Sequence, residues 1–271
     1  MSNIAKAFEH KTADGKNQTA FIGFVTGGDP TIEKTGEFVL EMIRAGADMV
    51  EIGIPFSDPI AEGPVIQQAN IRALAAGATV EKLFSLVKAI RRNTNTPLVF
   101  LTYLNPVFHY GYDAFFKRCH DVGLDGIIIP DLPFEEQAEV REVSSKYGVD
   151  LISLIAPTSE DRIQEIAKTA TGFIYLVSSL GVTGVRSEIK TDLASIAASV
   201  KAVTKIPVAV GFGIHSPAQA AEIGKIADGV IVGSAIVKIV EQYGNAAGEH
   251  IYKYVKEMKM TMLSTIGGLN E

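Results

Sequence analysis

Glu51 interrupts an apolar run, Met49-Val-Glu-Ile-Gly-Ile54. Alternation along a strand puts Val50, Ile52 and Ile54 on one face and Met49, Glu51 and Gly53 on the other. The β-branched set suits a face covered by helices, so Glu51 is expected to point the other way, into an enclosed interior. An unpaired carboxylate loses several kcal/mol on burial, so it must find donors or take up a proton. A pKa raised in this way makes a carboxyl a general acid and base near neutral pH. The competing reading is a structural glutamate bonded to neighbouring backbone.

A second acid follows in Pro55-Phe-Ser-Asp-Pro-Ile-Ala-Glu-Gly-Pro64, where three prolines restrict the backbone. Asp58 or Glu62 could share a cavity with Glu51, or both could be solvated loop acids. Three later segments bring glycine to the end of an apolar run: Gly181-Val-Thr-Gly184, Gly211-Phe-Gly-Ile214 and Val232-Gly-Ser-Ala235. Backbone N–H groups in such loops, helped by a helix N-terminus, can hold a phosphate. Neither a Walker sequence nor a dinucleotide fingerprint is present, and Thr26-Gly-Gly-Asp-Pro30 does not supply one. His10, His109, His120, His215 and His250 form no pair at metal-ligand spacing, so no metal is expected. Cys119, the single cysteine, falls mid-helix beside His120 and is no candidate nucleophile.

Something must hold these groups in place. Short apolar runs begin near Ala20, Met49, Pro97, Gly126, Asp150, Gly172, Pro207 and Gly229, and most are continuous Val, Ile, Leu and Phe. Parallel strands covered by helices read this way. The intervening segments are helical. Leu83, Leu86, Val87 and Ile90 share one face behind a Thr79 cap, and Ser216-Pro217 reads as N-cap and first helical residue. Gly46-Ala-Asp48, Gly123-Leu-Asp125 and Gly148-Val-Asp150 repeat one punctuation, a glycine that ends a helix and an aspartate at the next strand. Eight such units in about 250 residues predict an α/β fold, a single (β/α)8 TIM barrel over residues 1–271, preceded by a short helix from Ile4 to Phe8. In that fold the active site lies at the C-terminal ends of the strands, where Glu51, Glu62 and the glycine loops fall.

The chain has 271 residues, of which 47% are hydrophobic, and a net charge of −6. Nucleic acid and anionic membranes are not expected partners for this charge. No apolar run has membrane-spanning length and Met1 to His10 lacks a signal-peptide core, so a cytoplasmic protein is expected.

Glu51-Ile-Gly-Ile-Pro-Phe-Ser-Asp-Pro-Ile-Ala-Glu-Gly-Pro-Val-Ile-Gln67 closely resembles the signature of tryptophan synthase alpha chains. So do Tyr103-Leu-Asn-Pro106, Pro130-Asp-Leu-Pro133, Ser178-Ser-Leu-Gly-Val-Thr-Gly184, Gly211-Phe-Gly213 and Val232-Gly-Ser-Ala-Ile-Val237, in the family's order over nearly the whole chain. The resemblance implies retro-aldol cleavage of indole-3-glycerol phosphate to indole and glyceraldehyde 3-phosphate. It implies Glu51 as acid–base and Glu62 as the second catalytic carboxylate, where better-known members have Asp. Phe24, Leu101, Tyr103, Tyr175 and Phe212 match the indole and glycerol pocket. Gly184, Phe212, Gly213, Gly233 and Ser234 match the phosphate site, and Thr183 lies in the loop that closes over it. No cofactor is implied for this chain; pyridoxal phosphate belongs to the partner beta chain of an α2β2 complex, to which indole is passed. Asp58, Pro59, Asn105, Pro106 and Pro133, in loops after strands two to four, match the docking rim. Alternatives are a free-standing indole-glycerol-phosphate lyase, a sugar-phosphate epimerase or isomerase on a related barrel, and a non-catalytic activator of a beta chain.

Overall fold

In the computed structural model, parallel strands close into a barrel in the chain order β1 to β8. The structure describes residues 3–11, 15, 17–156, 160–177, 186–211 and 213–267. The strands are β1 (Ala20–Thr26), β2 (Met49–Gly53), β3 (Leu98–Leu101), β4 (Gly126–Ile128), β5 (Asp150–Ile155), β6 (Ile174–Val177), β7 (Val208–Gly211) and β8 (Gly229–Val232). Around them lie α1 (Ile32–Arg44), α2 (Pro64–Ala75), α3 (Val80–Ile90), α4 (Leu104–Tyr110), α5 (Tyr112–Val122), α6 (Gln137–Lys146), α7 (Glu160–Thr169), α8 (Arg186–Val203), α9 (Pro217–Ile223), α10 (Ser234–Tyr243) and α11 (Ala247–Gly267). Every expected strand is present, with ragged ends trimmed. The run from Pro97 stops at Leu101 because the next residues turn into α4, whose first N–H, that of Leu104, goes to Asp131 Oδ1 at 2.8 Å.

The expected caps are made. Thr79 accepts from Lys82 N–H, and Ser216 forms a capping box with Gln219. Gly123 ends α5 in the left-handed conformation, with φ of 77°. The apolar residues divide as strand alternation requires. Val50, Ile52 and Ile54 join the layer between barrel and helices. Ile22, Met49, Val99, Ile128, Ile152 and Tyr175 fill the interior. The segment Ile4–Phe8 is a 3-10 helix, and its Ile4, Ala7 and Phe8 plug the lower end of that interior.

Three aspartates lock the lower rim. Asp48 donates its N–H to the carbonyl of Phe21 and accepts the N–H of Phe21 on Oδ2 at 2.7 Å. Asp125 does the same with Leu98, at 3.0 Å, and Asp228 with Val208, at 2.9 Å. Each tethers the start of one strand to the strand before it. Each also holds a cation: Lys259 on Asp48, Arg91 on Asp125 and Lys201 on Asp228. With the lower end plugged and its acids paired, the open chemistry is left to the upper end.

Candidate active site

Glu51 sits on β2 between Phe24 and Val99 in register and is 1% exposed. Among the described residues its Oε1 has no hydrogen-bond partner. Burial alone pushes its carboxyl up to about 8. At neutral pH this group therefore carries a proton, ready to be given up and taken back. Tyr175, on β6, lies close enough for the Glu51 charge to raise the phenol further above its ordinary value, after the larger effect of burial. Room for that phenol comes from Gly211, where a Cβ would lie 2.4 Å from the Tyr175 hydroxyl. Gly53 does the same for Phe24, whose ring carbons would lie 2.8 and 2.9 Å from an added Cβ. Phe24 also lies against Gly233 and, with Leu101 and Val65, forms an apolar patch at the mouth. Carboxyl, phenol and aromatic ring thus share the upper end of one apolar interior, a setting for a flat hydrophobic substrate.

Glu62 is half-buried in the β2–α2 loop. Burial raises its carboxyl, and a hydrogen bond from Asn70 acts in the opposite direction. The Asn70 amide reaches Glu62 Oε2 at 2.6 Å from a position only 3% exposed. Gln67 holds the main-chain carbonyl of Glu62 at 2.7 Å, and the Ala61 N–H donates to the Tyr103 hydroxyl at 3.1 Å. Tyr103 itself is buried, and its hydroxyl is pushed up to about 12 by desolvation first and by the Glu62 and Asp131 charges after it. Asn70 was missed in the sequence. The available signal was a polar residue between Ala69 and Ala73 on the buried side of an amphipathic helix.

Gly233 caps α10 without any side-chain cap, and Ser234 begins that helix on the surface. Its first turn therefore offers backbone N–H groups to an anion. Gly213 is exposed, with φ of 79°, and its carbonyl lies 2.9 Å from Nδ1 of His215. Thr183, Gly184 and Phe212, expected in the pocket, lie outside the described residues. On the rim, Asp58 and Pro59 are in a loop as expected. Asn105 and Pro106 instead belong to the first turn of α4, and Pro133 precedes a 3-10 turn, Phe134–Glu136. Proline is compatible with a first helical turn because its missing N–H would have had no partner there. Two large apolar side chains that sequence reading passed over stand out beside these residues, Ile60 at 79% and Phe108 at 70% exposure.

Among the described residues no three His, Cys, Asp or Glu side chains come together as a metal site would need. A cleft of about 800 Å³ opens at the lower end, lined by Asn17, Lys201, Lys205 and Asp228 among others. Its Asp228 is already tied to backbone and to Lys201.

Fold and site together define a (β/α)8 barrel with a buried carboxyl inside it and a second, half-buried carboxyl in the loop after β2. Comparison with known proteins specifies the family. Residues 10–265 match the family model for the tryptophan synthase alpha chain. The chain is 49% identical to the tryptophan synthase alpha chain of Lacticaseibacillus casei over 97% of its own length and 96% of the relative's. The tryptophan synthase alpha chain of Legionella pneumophila superposes with a TM-score of 0.88 at 35% identity, covering 99% of this chain and 100% of that one. A chain from the tryptophan synthase a2b2 complex of Pyrococcus furiosus does so with a TM-score of 0.83 at 38% identity, over 89% and 98%. The chain belongs to the tryptophan synthase alpha chain family.

Proposed function

We propose that Glu51 and Glu62 carry the reaction of this family, cleavage of indole-3-glycerol phosphate to indole and glyceraldehyde 3-phosphate. Glu51, protonated in its apolar setting, delivers its proton to indole C3. The ring becomes a cationic indolenine, and Glu62 stabilises that charge from beside the indole N–H. The bond from C3 to the side chain then breaks. Its electron pair returns to the ring to restore indole, while the adjacent hydroxyl becomes the aldehyde and gives its proton to Glu51. One proton leaves the carboxyl and one comes back, so the cycle closes without water or cofactor. Phe24, Leu101, Tyr103, Tyr175 and Phe212 enclose indole and glycerol. Gly184, Gly213, Gly233 and Ser234 hold the phosphate through backbone N–H groups, and Thr183 closes over it.

The observation that carries this reading is the buried Glu51 carboxyl, in the middle of β2, with an oxygen that has no partner among the described residues. The test is direct. Purified protein incubated with indole-3-glycerol phosphate releases equal amounts of indole and glyceraldehyde 3-phosphate. No release, with or without a tryptophan synthase beta chain, would contradict it.

The reading extends to the partner. A beta chain carrying pyridoxal phosphate docks on the rim formed by Asp58, Pro59, Asn105, Pro106 and Pro133, giving an α2β2 complex in the cytoplasm. The a2b2 assembly of the Pyrococcus furiosus relative supports this, as do the exposed Ile60 and Phe108 on the same rim. No helix among the described residues is long and apolar enough to cross a membrane. Residues 1–271 act as one domain, a reading supported by closure of the barrel and by the family match over most of the chain. A beta chain that binds the rim and favours the closed site shifts the closing equilibrium, typically by about 5–150-fold for couplings of this kind, and so raises turnover. An unchanged rate at saturating beta chain, with no complex in sedimentation, would favour the free-standing lyase.

A further inference from the structure

Glu62 is held at three points. Its own carbonyl takes a hydrogen bond from Gln67, the preceding N–H rests on the Tyr103 hydroxyl, and its carboxylate is bonded by Asn70. The first two fix the main chain. Among the described residues only Asn70 fixes the carboxylate, and it does so from two turns into α2 and from a nearly fully buried position. The helix that carries it is itself anchored. Arg72, two residues further on, forks onto Asp29 with Nε on Oδ1 at 2.9 Å and Nη2 on Oδ2 at 2.7 Å. Asp29 is 1% exposed in the β1–α1 loop, and Arg72 also reaches Glu241 on α10 at 3.4 Å. A bidentate fork of this kind sets both distance and angle.

We propose that Asn70 is a positioning residue for the reaction: its amide holds Oε2 of Glu62 so that Oε1 is free to meet the substrate, and the Asp29–Arg72 fork keeps Asn70 at that reach. The inference rests on the reading of Glu62 as the second catalytic carboxylate. An amide N–H is a donor, so this contact favours the ionised carboxylate that must face a developing positive charge, opposing the effect of burial. It also depends on the length of glutamate. An aspartate at position 62 is one methylene shorter and would fall short of the amide in the same backbone. Of the titrating groups packed nearby, Tyr103 stays neutral through the assay range, its hydroxyl pushed up to about 12, and Asp58 lies exposed on the same loop as Glu62.

The experiment is a pH series of kcat and KM on the full chain with its beta chain, for wild type, Asn70→Ala, Asn70→Asp, Glu62→Asp, Glu62→Ala and the double variant Glu62→Asp/Asn70→Ala. Asn70→Ala lowers kcat on the order of tenfold, the usual worth of a hydrogen bond to a charged group. KM changes little, and the acidic limb of the profile moves to higher pH. Asn70→Asp keeps the shape and reverses the charge preference, so it lowers kcat more and moves the limb further. It also serves if the alanine variant folds poorly by circular dichroism. In the Glu62→Asp background, Asn70→Ala has no additional effect, because the contact is already gone. Wild-type kcat and an unmoved limb in both Asn70 variants, with Glu62→Ala inactive, would overturn the inference and leave the reading of Glu62 standing. Full additivity in the double variant would overturn it in the same way. Near-wild-type turnover by Glu62→Ala would overturn both together.

Discussion

At the lower rim Asp48, Asp125 and Asp228 each bond a backbone N–H and a cation, whereas inside the barrel Glu51 is almost fully buried and, among the described residues, has an oxygen with no partner. Both sets of acids belong to strand beginnings or interiors of one barrel, in similarly apolar sequence. The difference is in what surrounds them. The lower aspartates each accept a strand N–H and hold a cation, and so join neighbouring strands. Glu51 is starved of donors, so it keeps its proton and can exchange it. Paired acids join strands at the lower rim, and the unpaired carboxyl of Glu51 is the one proposed for the chemistry, which fits the division of labour between the two faces of such barrels.

The contrast can be broken most sharply at Glu51. Glu51→Gln preserves the shape but cannot exchange a proton, and steady-state assay should show kcat reduced by about 10²–10⁴-fold. Retention of more than about half the wild-type kcat would remove Glu51 from the chemistry. The reciprocal experiment is Asp125→Ala at the lower rim. It strands Arg91, which is largely buried, and the N–H groups that Asp125 now accepts. Loss of one partner from a buried pair destabilises by about 3–5 kcal/mol. Urea unfolding should report that loss while the remaining folded enzyme turns over at close to the wild-type kcat. Equal damage to kcat and stability would mean that the two ends are not separable.

Smaller effects sharpen the account of the upper end. Gly213→Val places a side chain at a positive φ in the loop assigned to phosphate. It should raise KM for the phosphorylated substrate by about tenfold or more, as loss of hydrogen bonds to a charged group does, with a much weaker effect on the binding of free indole. If lysine or arginine substitutions elsewhere move KM more, a charged clamp holds the phosphate instead. Smallest of all, Glu62→Asp should retain more activity than Glu62→Ala, since shortening keeps the charge. Equal loss in kcat/KM would show that reach outweighs charge at that position.

Much of this was legible in the chain. Period-two alternation placed Val50, Ile52 and Ile54 outward and Glu51 inward, and the structure has them so, because only an inward carboxyl escapes the helix layer. The glycine–aspartate punctuation was legible as helix ends. Its second meaning, a clasp between successive strands, was not, because the partners Phe21 and Leu98 lie 27 residues from Asp48 and Asp125. Asp228 lacks the preceding glycine and was missed for that reason, although it makes the same clasp. Asn70 escaped notice because its contact with Glu62 depends on how a loop folds back on the helix it precedes. The exposure of Ile60 and Phe108 likewise depends on loop paths, which periodicity does not report.

The measurement that bears most directly on Glu51 is the unfolding free energy of wild type and Glu51→Gln as a function of pH. The folded carboxyl is held at about 8, above its ordinary 4.5 in the unfolded chain. Between those values the folded state binds the proton that the unfolded state has released, so wild-type stability falls as pH rises. The favourable contribution of the group is complete below pH 4.5 and lost as pH passes through about 8. Glutamine does not titrate. The two proteins should therefore follow parallel curves at the acid end and diverge above it, with the Glu51→Gln protein gaining on wild type by roughly a few kcal/mol at pH 8–9. Curves that stay parallel from pH 5 to 9 would mean that Glu51 titrates normally, and that the upper end of the barrel is not the starved environment on which this account rests.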